Sequence, residues 1–475
     1  MRDRRFYVDI MQDRTEVTGS FTIVVVKIDN ETIKFVVDCG MYQEREYEDQ
    51  NASFPTNPED VNFAILTHNH VDHTGRFPYF VKKGFSGAIY TSNTTRMILG
   101  RALNDNAKVL LDTSKRRSVK AFYDYEDVEH TIHNVRGCDY NKPIRAHENI
   151  TLTFVPNGHL IGAASVLVQI HCPGKEDINL FFSGDYNNRN LFFRVSPVRK
   201  WITKLPINII VESTYGDMHS GEIKEVFRRN ILNALKENKT IIIPVFSLGR
   251  AQEILYYVKE MQRHYPGVFD NVPIYYDGKL SFYYTGAYDI LQKEGLVHFY
   301  KEKREFLPQN LTMVTDKNLR KDLVKHDNCK VIITTSGMGS YGPAQTYIPA
   351  YIGKEDALIH FTGYCAEGTL GYRLKHAEKG DIVEVGGVKV VKEADVEFTS
   401  EFSAHSKADE LIKLLKKFER PLFVMVNHGR NETKDAFAKK VLKETAVEHV
   451  GILGRDYFYR IDEDGFVKSV TVKFL

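Results

Sequence analysis

The sequence predicts an α/β protein built from two different strand patterns, and three observations carry that expectation. Short β-branched runs crowd the region before about Pro206 and end in small or polar residues. Beyond Pro206, apolar strands alternate with amphipathic helices, the pattern of a parallel α/β unit. Histidines and aspartates cluster just after strands rather than within them.

The early strands are expected at Phe21–Ile28, Ile33–Asp38, Val61–Thr67, Ile150–Val155, Ser165–Ile170 and Leu180–Ser183, with helices between Thr94 and Tyr125. The later region begins with a strand at Ile207–Val211, a helix near Ile223–Glu237 and a strand at Thr240–Val245. A helix follows from Arg250, with Ile254, Val258, Met261 and Tyr265 on one face. Strands Val331–Thr335 and Leu358–Phe361 continue the alternation. After Gly380, Asp381–Val391 is strand-like around a Gly386-Gly387 turn. Leu411, Leu415 and Phe418 mark a helix that Pro421 ends, and Pro421–Asn427 is an apolar strand.

A chain of 475 residues suffices for two or three domains. Hydrophobic residues make up 43% and charged residues 27%, so a sizeable core is expected. No apolar run approaches the ~20 residues that span a bilayer, and no early stretch reads as a signal peptide. The expectation is a soluble cytoplasmic protein with no membrane contact. The five cysteines are widely spaced and form no CxxC pair, so neither a disulfide framework nor a thiolate zinc ribbon is supported, and a reducing compartment fits. A formal charge of +2 excludes a whole-chain basic footprint for nucleic acid, but not a local basic groove.

The chemistry starts at Thr67–His73 (THNHVDH). His68 and His70, two apart on extended chain, can reach one ion; Asp72 and His73, where the chain turns, can reach another. Imidazole and carboxylate donors without thiolate suit zinc first, then iron or manganese. His159 lies in a glycine-flanked turn, and Asp185 ends a strand in Ser183-Gly184-Asp185, where a carboxylate can bridge two cations. His428 ends Pro421–Asn427. Asp38 is expected to orient a ligand histidine rather than bind metal itself. Glu212 and His405, on separate segments, can form a dyad that holds a proton for a leaving alkoxide. Two glycine- and serine-containing loops can cradle phosphate: Val245–Arg250, with Ser247 as N-cap and Arg250 as fork donor, and Thr334–Tyr341, with Ser336 and Gly337.

Taken together these residues resemble the metallo-β-lactamase superfamily and, within it, the β-CASP nucleases. The HxHxDH run with Asp38, His159 and Asp185 is similar to the superfamily set. Glu212, His405 and His428 are similar to three further β-CASP motifs, as are Gly363–Arg373 and the TTSGMGSYGPA stretch from Thr334. The resemblance implies an αββα metallo-β-lactamase sandwich at residues 1–206 and 379–475, interrupted by a parallel α/β β-CASP domain at 207–378. It implies one zinc on His68, His70 and His159, a second on Asp72, His73 and His428, and Asp185 between them.

Two departures stand out. Ser406-Lys407 follows His405 where many relatives have an acidic residue. The chain is also expected to lack the RNA-binding N-terminal extension of some archaeal relatives and the C-terminal domain of RNase J. In this compact form it is more similar to the bacterial and archaeal homologues of the cleavage and polyadenylation endonuclease.

RNA-processing members carry histidine at the position of His428, and Artemis-type DNA nucleases generally carry valine. The expected substrate is therefore single-stranded RNA, cut by a metal-bridging hydroxide to 5′-phosphate and 3′-hydroxyl ends. His405, oriented by Glu212, protonates the leaving oxygen. The strand lies in a cleft between the domains with Ser247, Arg250, Ser336 and Gly337 near its phosphates. Cutting is expected to be endonucleolytic, with 5′-to-3′ exonuclease action open to the same site, in a homodimer or an RNA-processing complex. The competing readings are a DNA exonuclease, a small-molecule metallo-hydrolase and a non-catalytic RNA-binding subunit.

Overall fold

A computed structural model describes residues 6–13, 17–190, 195, 197–219, 225–293, 307–399, 401–454, 457–463, 465 and 467–471. The chain folds as two compact units, Met1–Ser220 with His405–Leu475, and Gly221–Ala404.

The first unit is two sheets packed face to face with helices on both outer faces. The eight-stranded sheet runs Val467–Thr471, Tyr457–Asp462, Phe6–Gln12, Thr22–Ile28, Glu31–Val37, Phe63–Ile65, Ala88–Ser92, Val135–Cys138. The seven-stranded sheet runs Val450–Ile452, Arg420–Asn427, Pro206–Glu212, Ile178–Phe182, Ala164–Ile170, Ile150–Pro156, Pro143–His147. Residue alternation sets which side chains meet. Val24, Val26 and Phe35 face Leu152, Phe154, Val166 and Val168 in the core between the sheets. Ile23, Val36 and Leu66 turn the other way, onto Phe77, Phe80 and Leu99 of the helices outside the first sheet. Leu167, Ile209, Val211 and Val424 likewise meet Leu411, Leu415, Phe437 and Val441 outside the second. Burying each such side chain contributes about 1.5–3 kcal/mol. This is the expected αββα sandwich.

The second unit holds a six-stranded, all-parallel sheet in the order Leu311–Met313, Ile274–Asp277, Val331–Thr334, Thr240–Pro244, Ala357–Phe361, Asp395–Phe398. Its central strands are buried on both faces, as a helix-covered parallel sheet requires. A small antiparallel hairpin, Ile382–Val385 with Val388–Val391, turns at Gly386-Gly387 as the sequence suggests.

The unit boundaries differ from the expected divisions after residues 206 and 378. Pro206–Glu212 pairs in parallel with Ile178–Phe182 and with Arg420–Asn427, which ties it to the first unit. Asp395–Phe398 pairs with Ala357–Phe361, which keeps that stretch in the second. Element ends also move: the strand inside Val61–Thr67 is Phe63–Ile65, and the last helix before Pro421 is Ala408–Leu415. Among the described residues no helix is long and apolar enough to cross a membrane.

Candidate metal centre

All the proposed metal-binding side chains lie in the first unit, at the ends of neighbouring strands of its two sheets. After Phe63–Ile65 the chain leaves the sheet, bends at Asn69 between His68 and His70, then makes one helical turn, Val71–Thr74, with His70 as its extended N-cap. That change of direction separates His68 and His70 from Asp72 and His73. Gly40 permits it: a Cβ there would sit 1.5 Å from the Asp72 carbonyl oxygen.

Two groups of donors result, each with its ligand atoms within 4.8 Å of one another: His68, His70, His159 and Asp185, and Asp72, His73, Asp185 and His428. Asp185 belongs to both. In the first, His159 Nε2 is 3.1 Å from His70 Nδ1 and 3.6 Å from Asp185 Oδ2, and His68 Nε2 is 3.5 Å from the same oxygen. In the second, His73 Nε2 is 3.2 Å from His428 Nε2, 3.3 Å from Asp185 Oδ2 and 3.6 Å from Asp72 Oδ2. A cation with ~2.0–2.1 Å bonds in tetrahedral geometry separates its ligand atoms by ~3.4 Å. The donor spacings match that figure. His68 Nε2 and Asp185 Oδ1 are buried without any hydrogen-bond partner, an arrangement that costs stability unless something binds there. The cluster fits divalent metal.

The surroundings hold the donors still. Asp38, at φ 62°, accepts hydrogen bonds from the Thr67 backbone N–H at 2.8 Å and the Thr67 hydroxyl at 2.9 Å, and from His73 Nδ1 at 2.7 Å. His73 is thereby fixed with Nε2 facing the cluster. His428 also has a positive φ, 48°, and its carbonyl accepts from the Ser213 N–H at 3.0 Å. Such backbone is rare outside glycine and is maintained by its surroundings. Thr214 Oγ1 lies 3.0 Å from His428 Nδ1. Asn157 donates its amide to the carbonyls of Ser183 at 2.9 Å and Asp185 at 2.7 Å, tying the His159 turn to the Asp185 loop. The supporting roles of Asn157 and Thr214 are not visible in sequence, because each partner is distant along the chain.

The buried charges of the cluster act on one another. Burial, reinforced by the nearby His73, holds His68 well below the ordinary histidine range, and burial lowers His70 to about 4. Both are therefore neutral and able to ligate. Burial, the largest single influence, would raise Asp72 and Asp185, but His73, His428 and His70 together outweigh it for Asp72, which falls to about 2. His428, His73 and His68 outweigh it for Asp185, which stays well below the usual carboxylate range. His73 is raised: burial opposes it, but Asp185, Asp38 and Asp72 prevail.

Glu212 and His405 stand beside the cluster, and with Asp185 they form a third close group. His405 Nδ1 donates to Glu212 Oε2 at 2.9 Å, and His405 Nε2 is 3.8 Å from Asp185 Oδ2. Glu212 is fixed in turn by the backbone N–H groups of Tyr186 at 2.5 Å and Thr214 at 3.3 Å. Burial lowers the His405 imidazole, but Glu212 and Asp185 overcome this and raise it to about 9. At neutral pH it carries a proton.

Ser247, Arg250, Ser336 and Gly337 lie in the second unit, after the adjacent parallel strands Thr240–Pro244 and Val331–Thr334. Ser247 is not the expected N-cap. The helix Arg250–His264 starts after Gly249, whose N–H donates to Gln252 Oε1 at 2.8 Å. Arg250 is buried: Nε meets Glu253 Oε2 at 3.1 Å and Nη2 donates to the Phe402 carbonyl, leaving Nη1 without a partner. Gly337 packs on Phe246, where a Cβ would approach the ring to 2.8 Å. Ser336 Oγ accepts from the Tyr341 N–H at 3.3 Å.

Three family models match the chain: the metallo-β-lactamase superfamily at residues 16–153, the β-CASP domain at 251–374, and the Zn-dependent metallo-hydrolase RNA specificity domain at 389–450. The chain belongs to the metallo-β-lactamase superfamily, in its β-CASP branch. Relatives within that branch include a Thermus thermophilus ribonuclease, 29% identical over 89% of this chain and 93% of the relative. An RNase J-like protein of Methanocaldococcus jannaschii is 28% identical over 88% and 92%. A Lokiarchaeum transcription termination factor, FttA, is 29% identical over 78% of this chain but only 58% of its own length. This β-CASP protein is accordingly a metal-dependent hydrolase, and its clustered histidines and aspartates are a divalent-metal site.

Proposed function

We propose that this chain is a zinc-dependent ribonuclease that hydrolyses phosphodiester bonds of single-stranded RNA, leaving 5′-phosphate and 3′-hydroxyl ends. The observation that carries this is the His405–Glu212 pair set beside a shared-aspartate donor cluster. Hydrolysis of an activated small substrate needs no separate acid, whereas expulsion of a sugar alkoxide does. The relatives named as ribonucleases support RNA as the substrate class.

In this reading His68, His70 and His159 hold one zinc, Asp72, His73 and His428 a second, and Asp185 both; manganese or iron suits the same donors. Bound metal supplies Lewis acidity and an activated water near neutral pH. The protein's part is orientation and proton delivery. Asp38 keeps His73 turned inward, and Thr214 does the same for His428. Glu212 fixes the His405 ring so that Nε2–H faces the reacting atoms and protonates the departing 3′-oxygen. Ser247, Ser336 and the Gly337 backbone are read as phosphate contacts of the strand; Arg250 is left out of that set because its guanidinium, Nη1 included, is buried.

Cleavage is read as endonucleolytic, with 5′-to-3′ trimming by the same residues. A Dictyostelium discoideum relative named as an Integrator complex subunit 11 homolog, 24% identical over 89% of this chain and 57% of its own length, favours action within a larger complex, which we read as one that processes RNA. The deciding experiment incubates metal-loaded protein with end-labelled RNA, matched DNA and a chromogenic β-lactam. Cleavage of RNA alone, with 5′-phosphate products, supports the reading. Preferential cutting of DNA or turnover of the lactam overturns it. Comparing 5′-monophosphorylated and 5′-hydroxyl RNA separates internal cutting from end-dependent trimming.

A further inference from the structure

Two segments of the first unit meet at the end of the seven-stranded sheet opposite the metal centre. Lys200–Thr203 forms one helical turn, and the Thr203 carbonyl accepts a 2.7 Å hydrogen bond from the Glu419 N–H. Pro206 and Arg420 then open neighbouring parallel strands, which run to Glu212 and Asn427 at the metal end. At ~3.3 Å per residue, that places the start of Pro206–Glu212 about 20 Å from Glu212.

These segments, residues 199–204 and 416–420, carry six cations: Arg199, Lys200, Lys204, Lys416, Lys417 and Arg420. Against them stands a single carboxylate, Glu419. All six cations are exposed, and among the described residues none of their side chains has an ion pair or hydrogen bond. Nearby Lys413 differs, since it pairs with Asp409 at 3.7 Å. Lys416 and Lys417 follow a helix C-terminus, where cations are ordinarily favoured. That does not account for Arg199, Lys200 and Lys204 on the other segment. Among these cations lies Trp201, the chain's only tryptophan, 42% exposed. Its neighbour Ile202 and the facing Phe418 fill the core beneath, so the indole is not needed to seal it.

Uncompensated positive charge calls for a polyanion, and an exposed indole calls for a flat ring. Single-stranded nucleic acid supplies both at regular spacing. The segment 416–420 also falls inside the match to the RNA specificity domain.

We infer that this surface is a second RNA-holding site, separate from the cleavage site, in which Trp201 stacks on a base and the surrounding cations grip phosphates. The identity of its strand rests on the ribonuclease reading above. An RNA too short to span the two sites engages only the metal centre, whereas a long one engages both.

Because Trp201 is the sole tryptophan, intrinsic fluorescence reports this surface directly. The full chain carrying His405→Ala, loaded with zinc, is titrated with a long oligouridylate. Saturable quenching is expected, with log affinity falling against log salt by about 0.7 per phosphate neutralised. A Lys200→Glu, Lys204→Glu, Arg420→Glu chain should bind about ten-fold or more weakly and show a shallower salt slope. Trp201→Ala should bind about five-fold or more weakly by anisotropy, and Trp201→Phe should recover most of that.

In the otherwise unaltered enzyme the charge changes should raise KM for long RNA, leave kcat alone and spare a trinucleotide substrate. RNA cleavage with no Trp201 response and an unchanged KM overturns the inference and leaves the ribonuclease reading intact. Quenching without cleavage by the unaltered enzyme leaves the surface and removes the ribonuclease reading. Equal quenching by polyglutamate or anionic vesicles also overturns it, because the surface is then not selective for nucleic acid.

Discussion

His405 turns its Nδ1 to Glu212 Oε2, 2.9 Å away, and its Nε2 to within 3.8 Å of Asp185 Oδ2. One ring thus joins a buried carboxylate that belongs to neither metal group to the aspartate shared by both. A positioned acid contributes about 10²–10⁴-fold, so His405→Ala should lower kcat on single-stranded RNA by that factor. Its melting temperature and metal content should change little. Glu212→Gln keeps the shape but loses the charge that fixes the ring, and should lower kcat with KM little altered. Parental cleavage rates in His405→Ala would show that the ring is not the acid.

Asp38 reaches the metal site only through others: it binds Thr67 twice and His73 Nδ1 at 2.7 Å. Removing a partner that orients a metal-binding histidine typically weakens metal affinity by about 10–100-fold. Asp38→Ala should therefore lose metal to a chelator at correspondingly lower chelator concentration. Asp72→Ala, which removes a donor itself, should bind less metal even in excess. If Asp38→Ala competes for metal as well as the parent, the carboxylate serves the backbone turn alone.

How far the sequence revealed this depends on the range of each interaction. His68, His70, Asp72 and His73 were legible because spacing and a preceding strand bring them together locally. Asp185 and His428 were legible as strand-end residues, since parallel strands of one sheet finish at one edge. The unit boundary was not. Pro206–Glu212 has six of its seven residues buried, so its apolar run has no alternation to show which sheet it joins; only its pairing with Arg420–Asn427, far along the chain, decides. The helix at Arg250 was legible, but its cap was not, because Gln252 reaches back to Gly249 and displaces Ser247 from that role. Arg250 looked like an open fork, yet Glu253 one turn on and the Phe402 carbonyl take up two of its arms.

In the second unit, Asp277 ends its strand almost fully buried, with Arg320 Nε and Nη2 at 2.6 and 2.7 Å and the Tyr347 hydroxyl at 2.8 Å. Removing one member of a buried ion pair strands the other and costs about 3–5 kcal/mol. Arg320 is one-fifth exposed, so water recovers part of this and the low end applies. Asp277→Ala should lower stability by about 3 kcal/mol in urea unfolding. Tyr347→Phe, which deletes one hydrogen bond, should lower it by about 1 kcal/mol. Similar losses in the two variants would mean that Arg320 finds a new partner.

Gly158 and Gly174 separate backbone strain from steric collision. Their φ values are nearly equal, 79° and 77°, in the left-handed region that costs a non-glycine residue roughly 1–2 kcal/mol. A Cβ at Gly174 meets nothing within 4 Å, whereas one at Gly158 would lie 2.0 Å from the Asn187 carbonyl oxygen and 2.4 Å from a Val195 methyl. Gly174→Ala should therefore cost only the strain and leave metal binding untouched. Gly158→Ala must also push the turn off Asn187. His159 is the next residue, and its Nε2 sits 3.1 Å from His70 Nδ1, so the same displacement spreads the first donor group. The expected result is a larger loss of stability together with weakened binding of one metal equivalent, read by chelator competition and thermal unfolding of both variants. Equal losses in the two, with metal affinity intact, would show that the turn yields without moving His159.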